Sequence, residues 1–356
     1  MKYTIVNLIQ FFYKRSKSFY FIAGILLLVV VGFVDYATGL EVSVSLFYLL
    51  PVAIFSWFLG KTWGISISIA SAMIWFSADL LISPTYSHPL IPYWNATVLF
   101  GFLLIVSYIL TTLKSTSQYE QELAREVQQG LLPKAISPIS GFDISGKCQP
   151  SEAVGGDYFD VLKFDESYAG FCIADAIGHG IPAAILISNL QAAVKIYSSN
   201  WISPNELCVK INRHICNNIA PDKFITFFYG MIDGKNKKLT YVNAGHNAPI
   251  LIRKGDAILR LNRESGAALG INNAWHYQQA EIQLFSGDKI LLFTDGVVET
   301  TNLKGEEFGE ARLIQLLKEN RYLSVHDLQN RIIETVLKFN HGFFQDDITL
   351  LVISVE

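Results

Sequence analysis

The sequence predicts two folds in one chain: an all-α membrane bundle in the first third and a layered α+β sandwich in the rest. Three observations predict it. Four apolar stretches of near-spanning length fill residues 19–113. From about residue 141, short alternating or apolar runs of strand length take over, interrupted by two pairs of helical segments. Between the two regions lies one amphipathic segment that ends at Pro133. Paired helices among many strands indicate a layered sandwich and not a parallel βαβ fold. The division expected is residues 1–113 for a transmembrane anchor or sensor, 114–137 for a helical connector and 138–356 for the second domain.

The chain has 356 residues, enough for two domains of ordinary size. Its net charge of −3 excludes the basic face of a nucleic-acid binder. The apolar fraction, 51%, is high and concentrated in the first third. The four cysteines, Cys148, Cys172, Cys208 and Cys216, form no C-x-x-C pair. They are expected to be reduced packing thiols, and no Cys/His cluster has zinc spacing.

The apolar stretches cover roughly residues 19–34, 45–59, 63–82 and 94–113, each near the ~20 residues needed to cross a bilayer. Lys14, Arg15 and Lys17 precede the first, Lys61 lies between the second and third, and Lys114 follows the fourth. Basic residues thus fall at the start, after two crossings and after four, which puts both ends of the bundle in the cytoplasm. The expected location is the inner (cytoplasmic) membrane, multi-pass. Asp35, Glu41 and His88 belong to the outer loops, and Trp63, Tyr93 and Trp94 suit an interfacial aromatic belt. A cleaved signal peptide fits poorly, because three more apolar spans follow the first. No span carries a central charge that would mark an ion path. The bundle is an anchor or a ligand sensor. The stretch "TGLEVSVSLFYLLPVAIFSWFLG" resembles the first part of four-span input domains of bacterial signalling enzymes.

The connector "LKSTSQYEQELAREVQQGLLPK" repeats Tyr119, Leu123, Val127 and Leu131 every fourth residue, one apolar stripe on a helix. Such a short helix needs a partner. That partner is expected to be its copy in a homodimer or the domain that follows.

Strands are expected near residues 142–147, 158–164, 168–174, 224–232, 238–243, 249–253, 276–284, 289–293 and 348–354. Helices are expected near 181–198, 204–219, 310–320 and 325–339. Acids then fall where apolar strands meet turns: Asp157 in "VGGDYFD", Asp175 in "IADAIGHG", Asp295 in "LLFTDGVVET", and Asp346 and Asp347 in "QDDITLLV". Singly, each reads as a turn residue, since Asp favours turns for its local hydrogen bonds. If the strand ends converge, the acids meet. Two carboxylates ~4 Å apart repel by roughly 4 kcal/mol at an effective dielectric of 20. Divalent cations relieve that, and an all-oxygen donor set suits Mg²⁺ or Mn²⁺ better than zinc.

The blocks "VGGDYFD", "ADAIGHG", "NAGHNAPI", "LFTDGVVE" and "DDITLLV", in that order, resemble the metal-dependent (PPM, type 2C) serine/threonine protein phosphatases, and most of all their bacterial SpoIIE/RsbU branch. "LAREVQQGLLP" is similar to the connector of that branch. The resemblance runs from about residue 123 to the C-terminus. It implies a four-layer α-β-β-α sandwich with two divalent cations, Mn²⁺ or Mg²⁺, at one edge. By motif position Asp157 holds one metal, Asp175 bridges both with help from the Ala176 carbonyl, and Asp295 and Asp346 complete the set. Asp347 is then a supporting or capping group. Ala176-Ile177 departs from the more usual Val-Ser, which a role for the backbone carbonyl alone tolerates. His179 and His246 are either direct chemical participants or packing and hydrogen-bonding groups.

A two-metal site needs no covalent phospho-enzyme, in keeping with a chain that has no GxSxG elbow and no catalytic Cys motif. The resemblance implies a phosphoserine/phosphothreonine protein substrate, in this branch a STAS-type anti-sigma antagonist. The expectation is a membrane-bound protein phosphatase whose bundle moves the connector, which in turn shifts the helix at 181–198. The competing reading is a membrane receptor whose cytosolic domain binds a partner without catalysis.

Overall fold

The computed structural model describes residues 15–39, 43–81, 86–133, 135–198, 202–255, 257–262, 266–342 and 346–356. Lys14, Glu41, Ile82 and Lys134, all within the expectations above, lie outside the described residues. The chain divides into two compact units, Met1–Glu120 and Gln121–Glu356.

In the first unit, α1 (Lys17–Thr38) starts at Ser16, whose Oγ accepts from the Phe19 N–H. The second apolar stretch is a composite of a 3₁₀ turn (Ser45–Tyr48), a short helix α2 (Leu49–Ile54) and a π-helical turn (Phe55–Leu59). It stops at Gly60, at φ +96°. Helix α3 (Lys61–Leu81) and helix α4 (Ile91–Gln129) follow. Leu28, Val52, Phe55, Ile67 and Leu103 form the core, while Ile22, Leu26 and Phe33 face outward and are exposed. A helix apolar on the outside as well as the inside is either buried in a larger assembly or able to cross a membrane. Small residues let the helices close up. A Cβ on Gly64 would stand 2.4 Å from Ser107 Oγ and 2.5 Å from Ser56 Oγ, and those two hydroxyls hydrogen-bond at 2.9 Å.

By length and composition alone, α1, α3 and α4 can cross a membrane, and so can the helix Gly180–Ser198 of the second unit; the composite at Ser45–Leu59 is shorter.

The second unit holds two five-stranded antiparallel sheets. One has the order β1 (Phe142–Gln149), β10 (Ile348–Val355), β9 (Lys289–Phe293), β6 (Ile250–Ile252) and β7 (Ile258–Arg260). The other has the order β2 (Asp157–Lys163), β3 (Tyr168–Ala176), β4 (Ile225–Asp233), β5 (Lys238–Ala244) and β8 (Ala280–Gln283). Helices α5 (Gly180–Ser198) and α6 (Pro204–Asn218) cover the second sheet. The four-residue helix α7 (Asp295–Val298) precedes α8 (Gly309–Glu319) and α9 (Val325–Phe339), which cover the first.

The period of two along each strand builds this layering. In β3, Phe171 and Ile173 enter the core between the sheets, and Cys172 and Ala174 face α5 and α6. In β10, Leu351 and Ile353 point between the sheets, and Leu350 and Val352 meet α8 and α9. Three apolar layers result, and the order is α-β-β-α. Each fully buried Leu, Ile or Phe contributes about 1.5–3 kcal/mol. Helix α5 is among the helices apolar enough to span, but Leu186, Ile187, Leu190 and Val194 are spent on this core.

Candidate metal centre

The acids gather at one edge of the two sheets. Asp157 is the first residue of β2 and lies directly opposite Asp175, near the end of β3, in the β2–β3 register. Asp295 opens α7, one residue after Thr294, which follows β9. Asp346 and Asp347 immediately precede β10.

Asp157 is buried, and its Oδ2 accepts from Thr294 Oγ1 at 2.8 Å. The same hydroxyl accepts from the Thr349 N–H of β10 at 3.0 Å. One threonine thus ties the two sheets together at the acid edge. The adjacent pair Asp346 and Asp347 divides in role. Asp347 is buried and accepts from the Ser151 N–H (2.7 Å), the Ser151 hydroxyl (3.0 Å) and the Gly156 N–H (2.6 Å). Its carboxylate is occupied by the loop before β2. Asp346 is exposed, and its Oδ1 accepts the Asp347 N–H at 2.8 Å.

Crowding shows in the titration of these groups. Burial, then the charges of Asp175 and Asp347, hold the Asp157 carboxyl well above the usual range. Burial and the neighbouring Asp295, Asp346, Asp347 and Glu299 push Asp175 up to about 8. Asp295 is pushed up to about 6 by burial, then by Asp346 and Glu299. Asp346, the most open of the four, is raised by partial burial first. Among the described residues none of the four is ion-paired to a lysine or arginine. A partly buried set of mutually repelling carboxylates without a lysine or arginine partner is a donor set suited to hard cations. No three His, Cys, Asp or Glu side chains among the described residues converge on a single point. Mg²⁺ does not require that, since it is commonly held through one or two carboxylates and keeps several waters.

The two histidines differ. His179 is exposed and pairs with Glu152 at 3.1 Å. His246 is buried, with Nδ1 2.8 Å from Thr226 Oγ1. Thr226 faces Asp175 across the β3–β4 register and donates to its carbonyl at 3.3 Å. Burial lowers the His246 pKa to about 4, so near neutral pH it is an uncharged strut behind Asp175. That arrangement favours the packing and hydrogen-bonding role. Ala176 is buried, and its N–H donates to the Gly156 carbonyl at 2.9 Å.

Three participants were missed in the sequence. Glu299 and Thr294 lie inside a quoted block, but only Asp295 drew notice there. Gln128 lay on the polar side of the connector stripe. In the structure its side chain is buried against Gly155, with Nε2 donating to the Gly155 carbonyl at 2.6 Å and Oε1 accepting the Gly155 N–H at 2.9 Å. The stripe itself is uncovered in the single chain. Tyr119, Leu123 and Val127 are 70%, 51% and 65% exposed, and Leu131 lies beyond the end of α4.

Two antiparallel sheets between helical pairs, with acids at the sheet edge, are the arrangement of the PP2C-type phosphatase fold. The sequence matches the family described as Stage II sporulation protein E (SpoIIE) over residues 165–356, more than half of the chain. The chain belongs to that family. It is 32% identical to the phosphoserine phosphatase RsbU of Bacillus subtilis over 235 residues, 66% of this chain and 69% of RsbU. The SiaA-PP2C domain of Pseudomonas aeruginosa is similar in fold (TM-score 0.61, 18% identity), covering 68% of this chain and 98% of that one. So is the phosphatase domain of SpoIIE from Bacillus subtilis, solved with a fragment of its regulatory domain (TM-score 0.54, 18% identity). That match covers 62% of this chain and 64% of the other.

Proposed function

We propose that the chain is a membrane-bound, metal-dependent phosphatase that hydrolyses phosphoserine or phosphothreonine on a protein substrate, a STAS-type antagonist in a bacterial signalling pathway. The observation that carries the metal dependence is the shared charge of Asp157, Asp175, Asp295 and Asp346 at one sheet edge. These four, with the Ala176 carbonyl, would hold two Mn²⁺ or Mg²⁺ ions. Such ions supply activation of water and neutralisation of the transferring phosphoryl group.

The chain's own residues do the rest. Thr294 fixes one oxygen of Asp157. Asp347 spends its oxygens on the loop before β2 and so sets where Asp157 begins. The overall reaction transfers a phosphoryl group from the side-chain oxygen to water, giving the alcohol and inorganic phosphate. No thiol is poised as nucleophile, since burial pushes Cys148, Cys172, Cys208 and Cys216 all upward. The exposed stripe Tyr119, Leu123 and Val127 supports a homodimer through the connector, and the apolar exterior of the first unit supports a multi-pass anchor.

The acids stand around an edge without three of them converging, the one observation on the side of a domain that binds a partner without catalysis. The deciding experiment is phosphate release by the full chain in lipid nanodiscs, from p-nitrophenyl phosphate and a phosphoserine protein, with and without Mn²⁺ or Mg²⁺. Metal-dependent release that Asp175→Asn reduces at least a hundredfold is expected. A folded, metal-loaded chain that releases none would overturn the enzymatic reading in favour of the receptor.

A further inference from the structure

We propose that Gln128 is a positioning residue for the metal edge: its side-chain amide fixes the Gly155–Gly156 strap from which Asp157 starts. The inference rests on the ligand assignment given under the proposed function.

The strap is made of the two residues least able to hold a shape by themselves. Side chains are crowded there. A Cβ on Gly155 would lie 2.4 Å from Asp347 Oδ2, and one on Gly156 would lie 3.0 Å from both the Ala176 carbonyl oxygen and Ala183 Cβ. Order therefore has to come from outside, through the peptide groups. All four are engaged. The Gly155 N–H and C=O both bond Gln128, at 2.9 and 2.6 Å. The Gly156 N–H bonds Asp347 at 2.6 Å, and the Gly156 C=O accepts from the Ala176 N–H at 2.9 Å.

Half of the strap's hydrogen bonds thus come from one side chain. A two-point contact to the N–H and C=O of one residue fixes the orientation of both flanking peptide planes. Only a carboxamide does this, because it offers a donor and an acceptor side by side. Glutamate offers no donor at neutral pH, and leucine offers neither. The other two bonds lead to Asp347, next to Asp346, and to Ala176, next to Asp175. The strap is where the settings of three metal-edge segments are shared, and Gln128 is its anchor on α4.

Groups that support metal ligands typically cost 10–100-fold in metal affinity when removed. The test is a Mn²⁺ titration of the full chain in nanodiscs, following free Mn²⁺ by electron paramagnetic resonance, alongside activity against Mn²⁺ concentration. Gln128→Leu keeps the bulk and removes both bonds. Gln128→Glu keeps the shape and removes the donor. Both are expected to weaken Mn²⁺ binding at least tenfold. Activity at saturating Mn²⁺ should stay within about threefold of the parent, and the melting temperature of the metal-free chain should fall modestly, as the loss of two buried hydrogen bonds requires. A purely structural role would lower that melting temperature and leave the Mn²⁺ isotherm of the folded fraction alone. A parental isotherm in folded Gln128→Leu, or in Gln128→Glu should the leucine variant not fold, overturns the inference while leaving the metal site standing. A parent chain that binds no Mn²⁺ overturns both.

Discussion

At the scale of single residues, the acid edge makes a signed prediction about pH. Asp175 and Asp295 have folded-state pKa values raised to about 8 and about 6, above the 3.8 of an unperturbed Asp. Between those values the folded, metal-free chain binds more protons than the unfolded chain. Their contribution to stability is fully present below the unfolded pKa and is lost as pH rises through the folded one. The metal-free chain is therefore expected to melt at lower temperature at pH 8 than at pH 5. Asp175→Asn should raise the melting temperature of the metal-free chain at both pH values, and by clearly more at pH 8 than at pH 5. Differential scanning fluorimetry at the two pH values checks it, and an equal effect at both would refute the shared-charge account. The four acids were legible in the sequence because each stands where an apolar run meets a turn. Thr294 and Gln128 were not, because a side chain that bonds one distant carboxylate or peptide group leaves no period and no composition signal.

At the scale of elements, helix α5 is fastened to the sheet it covers. Lys195, in its last turn, pairs at 2.6 Å with Asp160 of β2, which is buried and also accepts from the Tyr158 hydroxyl at 2.8 Å. Lys195→Met would leave a buried carboxylate short of its cation. A hydrogen bond to a charged group is worth about 1.5–3 kcal/mol, so a loss of about 2 kcal/mol in a denaturant titration is expected. An unchanged midpoint would show that the tether is idle. The long helices of the second unit were legible to within a residue or so, since their apolar periods are long. Strand β7 was missed because its three residues, Ile258–Arg260, are partly exposed and end in a charged residue, unlike the apolar β6, and α7 because four residues carry no helical period. The expected seventh strand, 276–284, is in the structure only β8, Ala280–Gln283. The connector shows a different limit. Amphipathicity identifies which face of α4 is apolar, but not whether anything covers it. Within the second unit, the end of α4 bonds the loop before β2 through a glutamine.

At the scale of the whole molecule, hydropathy separated the two units but could not by itself assign α5. That helix, like α3, is long and apolar enough to cross a membrane, and what decides its place is the sheet beneath it. If the first unit is an integral bundle, the full chain should stay in the membrane pellet after an alkaline carbonate wash. A fragment comprising residues 121–356 should leave it, as read by immunoblot. Release of the full chain by carbonate would count against the multi-pass anchor. The α-β-β-α order was legible only through the resemblance of its acid blocks to a known family, because strand order depends on contacts between residues far apart in sequence. Asp157 and Thr294, separated by 137 positions yet hydrogen-bonded, are one such contact.

The grip of Gln128 on main-chain atoms has a genetic consequence. When two side chains interact, a change in one is open to repair by a change in the other. Here the partner is a peptide group that every residue carries, at a position where any Cβ collides with Asp347. An intragenic suppressor of a Gln128 variant therefore cannot arise at Gly155. A selection for restored activity should return true revertants, or substitutions in segments that bear on the strap from elsewhere, such as Ser151 or the first turn of α5.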